Sequence, residues 1–345
     1  MRRLAQTVIA AAAALIIIGL AAAAIWLRSE LETPYYGASP GEVFIEIPRH
    51  ANTSRVAELL GNSGILRHRL PFILYVRYHN IGRRIQAGEY RFAEAATPGE
   101  VARRLVRGDV TFISITVPEG LTAQETIELL AKSGIGDPRK LKKLLLKTEW
   151  IRDLDPGARN LEGYLFPETY RFPRKVDGET VVKTMVEQFK TRFAKIAEVH
   201  PAHDGWTVPR VVTLASLIEE EVKNKDEGPL VASVLMNRLE RGMPLACDAT
   251  IIYAMKLAGT YRGNLSRADL VRESPYNSYI HRNLPPGPIS NPGENSLRAA
   301  LNPARTGYLF YVSRNDGTHQ FSENYASHQY AVNRYQKSAA GRRKK

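Results

Sequence analysis

The sequence predicts an α+β protein in two parts, a small module and then a larger domain, carried behind one N-terminal membrane-spanning helix. Three observations lead there. An uncharged apolar run extends from Val8 to Leu27. Beyond residue 42, short alternating strand patterns are interleaved with helical ones. Cys247 is the only cysteine, so no intrachain disulfide is possible and the fold must stand on its core. A chain of 345 residues is long enough for about two domains.

The twenty residues of the apolar run, rising about 1.5 Å each, just span a hydrocarbon core of about 30 Å. Trp26 sits near its outer end, where an indole suits the headgroup boundary. A cleaved signal peptide is the competing reading, but its apolar part is usually shorter, about 7–15 residues. Arg2 and Arg3 would hold the N-side in the cytoplasm by the positive-inside rule. The expectation is an inner-membrane protein with residues 1–7 cytoplasmic, a helix over 8–27, a linker over 28–42, and the rest in the periplasm or its equivalent.

The net charge is +13, which suits nucleic acid, an anionic surface or an acidic polymer. The charge is spread along the chain except in the basic tail, residues 337–345. No motif of the nucleic-acid-binding modules accompanies it, so nucleic acid is not an expected partner. The His residues show no metal-ligand spacing such as HExxH, and no metal or cofactor is expected. His200 and His203 flank Pro201 in what reads as a surface loop.

Val43–Pro48 alternates as a strand should. Thr53 and Ser54 are cap-type residues before a helix ended by Gly61-Asn62. A second helix covers about 70–78, and Gly88–Phe92 reads as a strand. Thr97-Pro98-Gly99-Glu100 opens another helix, and 109–117 is β-rich. These form the first module, 43–117. The larger domain, 118–336, begins with helices over about 122–133 and 137–148. The aromatic, carboxylate-bearing segment 161–170 is either a packed loop or a sugar-binding lip.

Pro209 to Val222 is strongly helical and ends in Glu219, Glu220 and Glu221. At about 100° per residue, Glu220 falls opposite the apolar stripe and the other two on its flanks. Three acids at a helix C-terminus repel one another and face the negative end of the dipole. Both effects raise carboxyl pKa values, as a general acid requires. The alternative is three solvated acids paired with Lys223 and Lys225. A helix over 229–241, presenting Leu230, Val234, Leu235 and Leu239 to the core, is closed by Gly242. Residues 284–293 form a rigid Pro/Gly wall. Asn315-Asp316-Gly317 signals a hairpin, and Asn324 caps a final helix.

These pieces, in this order, resemble the YceG-like family of endolytic murein transglycosylases. The resemblance rests on Glu162–Tyr170, Ala215–Glu221, Ala232–Leu239, Tyr276–Tyr279, Leu284–Ile289 and Gly317–Phe321. It departs from the family pattern at Ala249, Ser278 and Asn283, which bear on loop geometry. The resemblance implies that 43–117 is a LysM-like module and that Glu219 is the catalytic acid/base. It implies cleavage of the β-1,4 bond between N-acetylmuramic acid and N-acetylglucosamine in nascent glycan strands, leaving a 1,6-anhydro end. Glu162, Tyr164, Asn237, Asp248, Tyr253, Asn277 and Tyr279 are the expected substrate contacts. Peptidoglycan strands, the inner membrane and synthase or divisome proteins are the expected partners. Two rivals remain: a muramidase-type hydrolase using Asp248 or Glu162 as a second carboxylate, and a membrane-tethered glycan-binding scaffold without catalysis.

Overall fold

The computed structural model describes residues 2–37, 41–203 and 205–337, without the side chains of 2–5 and 8. The side chains of Arg2 and Arg3, which carry the expected orientation, and the tail from 338 onward lie outside that description. Helix α1 (Arg2–Glu32) has 31 residues. Nothing after Leu27 breaks it, and Arg28 pairs with Glu32 one turn on at 3.0 Å. The linker expected over 28–42 is therefore helical in its first five residues. Leu15, Ile16, Ile17, Ile18 and Leu20 are 63–70% exposed on this helix. Its segment Ile9–Glu32 is long and apolar enough to cross a membrane.

The chain divides into two compact units, Met1–Ile113 with Arg171–Lys175, and Ser114–Tyr170 with Val176–Lys345. In the first unit, β1 (Val43–Ile47) pairs antiparallel with β2 (Gly88–Phe92), Val43 opposite Phe92 and Ile47 opposite Gly88. Between them run α2 (Thr53–Asn62) and α3 (Arg69–Tyr78); α4 (Pro98–Arg107) follows. The core gathers Ile45, Ile47, Val56, Leu60, Phe72, Val76, Tyr90, Phe92, Val101 and Leu105. Asn52, not Thr53 or Ser54, caps α2 by accepting the Arg55 N–H at 2.8 Å. Thr97 and Glu100 form the reciprocal capping box of α4. Strand β3 (Phe112–Thr116) pairs with β4 (Thr169–Pro173), and the chain passes between the units within these strands.

The second unit is built from helices. After α5 (Ala123–Lys132) comes α6 (Pro138–Leu144), which stops four residues short of expectation. Helix α7 (Gly178–Val199) was not anticipated, although Val182, Met185, Val186, Phe189, Phe193 and Ile196 recur at helical spacing and are buried. Helix α8 (Val208–Glu221) is the centre of the unit. Every residue from Val211 to Ile218 is buried, including Thr213 and Ser216, so it is enclosed on all sides rather than amphipathic. Helix α9 (Gly228–Glu240) buries Val231, Ala232, Val234 and Leu235, whereas Leu230 and Leu239 are only half-buried. Helices α10 (Asp248–Leu257) and α11 (Glu294–Leu301) follow. The expected hairpin forms from β5 (Phe310–Ser313) and β6 (His319–Ser322), with Asn315 and Gly317 at positive φ in its turn. Asn324 caps α12 (Tyr325–Val332).

Gly163 fastens the 161–170 segment to this frame. Its φ is +86°, and a Cβ there would lie 2.5 Å from Pro288 and 2.9 Å from Val212 of α8. Both space and backbone conformation demand glycine. Gly163→Ala is expected to destabilise the protein by about 2 kcal/mol or more. Chemical denaturation checks this; a loss near zero would mean that the loop floats free of α8.

Candidate functional site

The site grows from the C-terminal end of α8. Ser216, one turn before Glu219, fastens the Pro/Gly wall to the helix. Its hydroxyl accepts the Ile289 N–H at 3.1 Å and donates to the Thr213 carbonyl at 2.8 Å. Two residues on, buried Asn291 ties three segments together. Its Oδ1 accepts the Leu165 N–H at 3.0 Å, its Nδ2 donates to the Leu121 carbonyl at 2.8 Å, and its backbone carbonyl accepts the Gly120 N–H at 3.1 Å. The wall, the 161–170 loop and the turn before α5 are thereby held together around α8.

This clamp delivers Gly293, the N-cap of α11, to Glu219. The Gly293 N–H donates to Glu219 Oε2 at 2.9 Å, and the Ser296 hydroxyl donates to the same carboxyl. Glu219 is half-buried. Burial pushes its pKa above the ordinary carboxylate range, and the Glu119 charge adds to this. The Gly293 and Ser296 donors and the positive end of α11 act the other way, stabilising the ionised form. Neither protonation state is foreign to such a site.

The other two acids have different surroundings. Glu220 is the most exposed of the three and bonds the Ser290 hydroxyl, and burial raises its pKa as well. Glu221 is raised chiefly by burial, with the Tyr311 hydroxyl as partner and the Asp248 charge nearby. Neither Lys223 nor Lys225 neutralises the trio directly. Lys225 is taken by Glu119.

The expected substrate contacts fall into three groups. Asn237 and Asn277 make ties within the protein. Asn237 Nδ2 donates to the Thr306 and Tyr308 carbonyls, both at 2.9 Å. Asn277 is buried, donates to the Leu270 and Arg272 carbonyls and accepts the Tyr279 N–H. Both side-chain NH2 groups are taken up by backbone carbonyls. Asp248 and Tyr279 form a pair at the N-terminus of α10, joined at 2.6 Å, with Asp248 exposed. Ser278, one of the departures from the family pattern, accepts the Cys247 N–H at 2.9 Å beside them.

Glu162, Tyr164 and Tyr253 form the third group. Glu162 and Tyr164 line a cavity of about 680 Å³ with Asp155, Arg159, Tyr276 and Pro288. Glu219 does not line it. Glu162 accepts the Ala123 N–H at 2.7 Å and the Tyr253 hydroxyl at 3.1 Å, and burial raises its pKa to about 7. The Tyr164 hydroxyl donates to Asp155 at 2.7 Å while its ring packs edge-on against Phe189. Sequence reasoning missed Ser216, Asn291, Gly293, Ser296 and Glu119. Only Gly293, just past a Pro and opening a helix, carries a local signal.

The model of the YceG-like family matches residues 45–334. The chain belongs to the YceG-like family. An endolytic murein transglycosylase of Bacillus subtilis is 31% identical over 324 residues, covering 89% of this chain and 88% of that protein. One of Streptococcus pneumoniae is 26% identical over 79% of this chain but only 54% of its own length. The crystal structure of a YceG-like protein from Listeria monocytogenes superposes with a TM-score of 0.57 at 26% identity, covering 85% of this chain and all of that one.

Two outcomes test how this YceG-like site is read. Glu162 stays protonated in the folded protein up to about pH 7 but ionises near 4.5 when unfolded. The folded state therefore binds more protons in that window, and stability falls as pH rises through it. Glu162→Gln should flatten that fall in melting temperature; an unchanged slope would show that Glu162 is not its source. Tyr164→Phe removes one hydrogen bond and should cost about 1 kcal/mol while leaving cleavage of glycan strands intact. Loss of cleavage at unchanged stability would instead make the hydroxyl a substrate contact.

Proposed function

We propose that this chain is an endolytic murein transglycosylase that cleaves peptidoglycan glycan strands with Glu219 as its single acid/base. The observation that carries the reading is the Glu219 carboxyl itself: half-buried, raised in pKa, and held by Gly293 and Ser296 at the start of α11. The raised pKa favours the protonated form that a general acid needs near neutral pH. The donors then support the carboxylate left after proton transfer.

In the reaction, Glu219 protonates the glycosidic oxygen leaving with N-acetylglucosamine, and the bond to the muramic anomeric carbon breaks. The 6-hydroxyl of the same muramic residue attacks that carbon, and the Glu219 carboxylate takes its proton. The products are a free 4-hydroxyl end and a 1,6-anhydro end, and Glu219 is again protonated. Because the nucleophile is tethered to the sugar, proximity replaces a bound water and one carboxyl suffices. Asp248 and Tyr279, exposed enough to meet solvent, are the remaining candidates for sugar contact. Neither rival second carboxylate gains support: Glu162 is enclosed, and Asp248 is held by Tyr279.

The first unit fits a LysM-like glycan-binding module over about 43–117. Its β1–α2–α3–β2 order and the cavity of about 640 Å³ lined by His50, Asn52, Arg77, Asn80 and Arg83 support this. The apolar helix is read as a single-pass anchor, N-terminus inside, with residues 118–336 forming the catalytic domain on the outer side. Synthase or divisome proteins are the proposed partners there.

Glu219→Gln is expected to lower cleavage by a factor of about 10²–10⁴ while leaving folding and sedimentation with peptidoglycan unchanged. Mass analysis of wild-type products should show anhydro ends. Reducing ends would indicate a hydrolase, and wild-type rates in the variant would remove Glu219 from the mechanism. Separately, an Arg77→Ala/Arg83→Ala double variant should weaken binding to insoluble peptidoglycan; undiminished binding would argue against glycan capture by the first unit.

A further inference from the structure

Glu119 stands beside the reaction centre with no role so far. It lies in the turn before α5, immediately ahead of Gly120, whose φ is +80°. Asn291 clamps this turn through Gly120 and Leu121. A Cβ placed on Gly293 would fall 2.0 Å from Glu119 Oε1. The Glu119 carboxylate therefore occupies the space of the side chain that Gly293 lacks, while the N–H of the same glycine holds Glu219. A Cβ on Gly120 would lie 3.4 Å from Glu220 Oε1 and 3.8 Å from Glu219 Cγ, so the turn that carries Glu119 faces both of these acids. Lys225, in the short turn between α8 and α9, is the ion-pair partner of Glu119.

Resting on the reading of Glu219 as the acid, we propose that Glu119 is a positioning residue for cleavage: anchored by Lys225 and lodged against Gly293, its carboxylate sets the charge that faces Glu219. The remaining groups around Glu219 are accounted for. Glu220 shares its helix and bonds Ser290. Glu294, at the start of α11, is paired with Arg298 at 2.7 Å and Arg192 at 3.7 Å. Ser296 and the Gly293 N–H are uncharged donors. Glu119 and Lys225 are thus the opposed charges that act on Glu219 from outside its own helix, the first favouring its protonated form and the second its ionised form. Their pairing keeps the balance: losing Glu119 lowers the Glu219 pKa and leaves Lys225 uncompensated to lower it further, and losing Lys225 does the reverse.

The test is the pH dependence of kcat/KM for the full-length protein in detergent acting on purified glycan strands. A general acid loses activity as pH rises through its pKa, so the basic limb reports Glu219. In Glu119→Gln a negative charge disappears and Lys225 is released; the basic limb should move to lower pH, with a several-fold loss at pH values where the wild type is still active. In Lys225→Met the limb should move to higher pH. The double variant should return toward the wild-type profile. Because the Glu119 and Lys225 side chains are 32% and 56% exposed, raising the salt concentration should shrink each shift.

A purely structural ion pair would give another pattern: both single variants would lose melting temperature, with the basic limb unmoved. That result overturns the proposal and leaves the assignment of Glu219 intact. Opposite limb shifts in the two variants support it even if both are less stable. The assignment of Glu219 itself fails only if Glu219→Gln still cleaves, so the two failures are distinguishable.

Discussion

The site depends on the fastening of the Pro/Gly wall to one enclosed helix. Helix α8 has no free face between Val211 and Ile218, so its end cannot shift without disturbing the core of the second unit. Ser216 and Asn291 transmit that rigidity to the wall through buried, fully used polar groups. Buried hydrogen bonds of this kind are individually modest but expensive to leave unmade. The backbone N–H of Gly293 is therefore presented to Glu219 from a fixed direction. The Glu219 carboxyl owes its orientation to a residue 74 positions further along the chain.

Three consecutive glutamates show how position on one helix separates chemistry. Glu220 is the most exposed, Glu221 turns toward Tyr311 and Cys247, and Glu219 meets Gly293, yet burial raises the pKa of all three. A fully exposed acid would remain ionised, and a fully enclosed one would be locked in its neutral form. The partial enclosure of Glu219, balanced by two donors and the start of α11, suits a group that must give a proton and take one back. Glu162 is the contrasting case: a carboxyl with both oxygens bonded inside the protein, raised to about 7 by burial.

Much of the local structure was legible in the sequence because it is governed by local rules. The capping box at Thr97, the hairpin at Asn315–Gly317 and the cap at Asn324 rest on residues within a few positions of one another. The helix bearing Glu219 was legible for the same reason. Its enclosure on all sides was not, because Thr213 and Ser216 read as polar until their partners are known. The partners of Asn237 and Asn277 are carbonyls brought near by the fold, which no spacing in the sequence indicates. The clamp at Asn291 and the approach of Glu119 to Gly293 are long-range events, and no spacing announces them. Helix α7 lies outside the predicted elements although its period, Val182, Met185, Val186, Phe189, Phe193 and Ile196, is a local one.

The continuity of α1 has a consequence for reach. The helix runs unbroken to Glu32, and its end is fastened within the first unit: Glu30 lies 3.6 Å from Arg67, and Trp26 packs against His68. A flexible leash would leave the first unit free to swing about the end of α1; a docked helix fixes its direction from the last turn of that helix. With α1 as the proposed anchor, the first unit would stand at a fixed height above the bilayer, set by the helix and not by the slack of a linker.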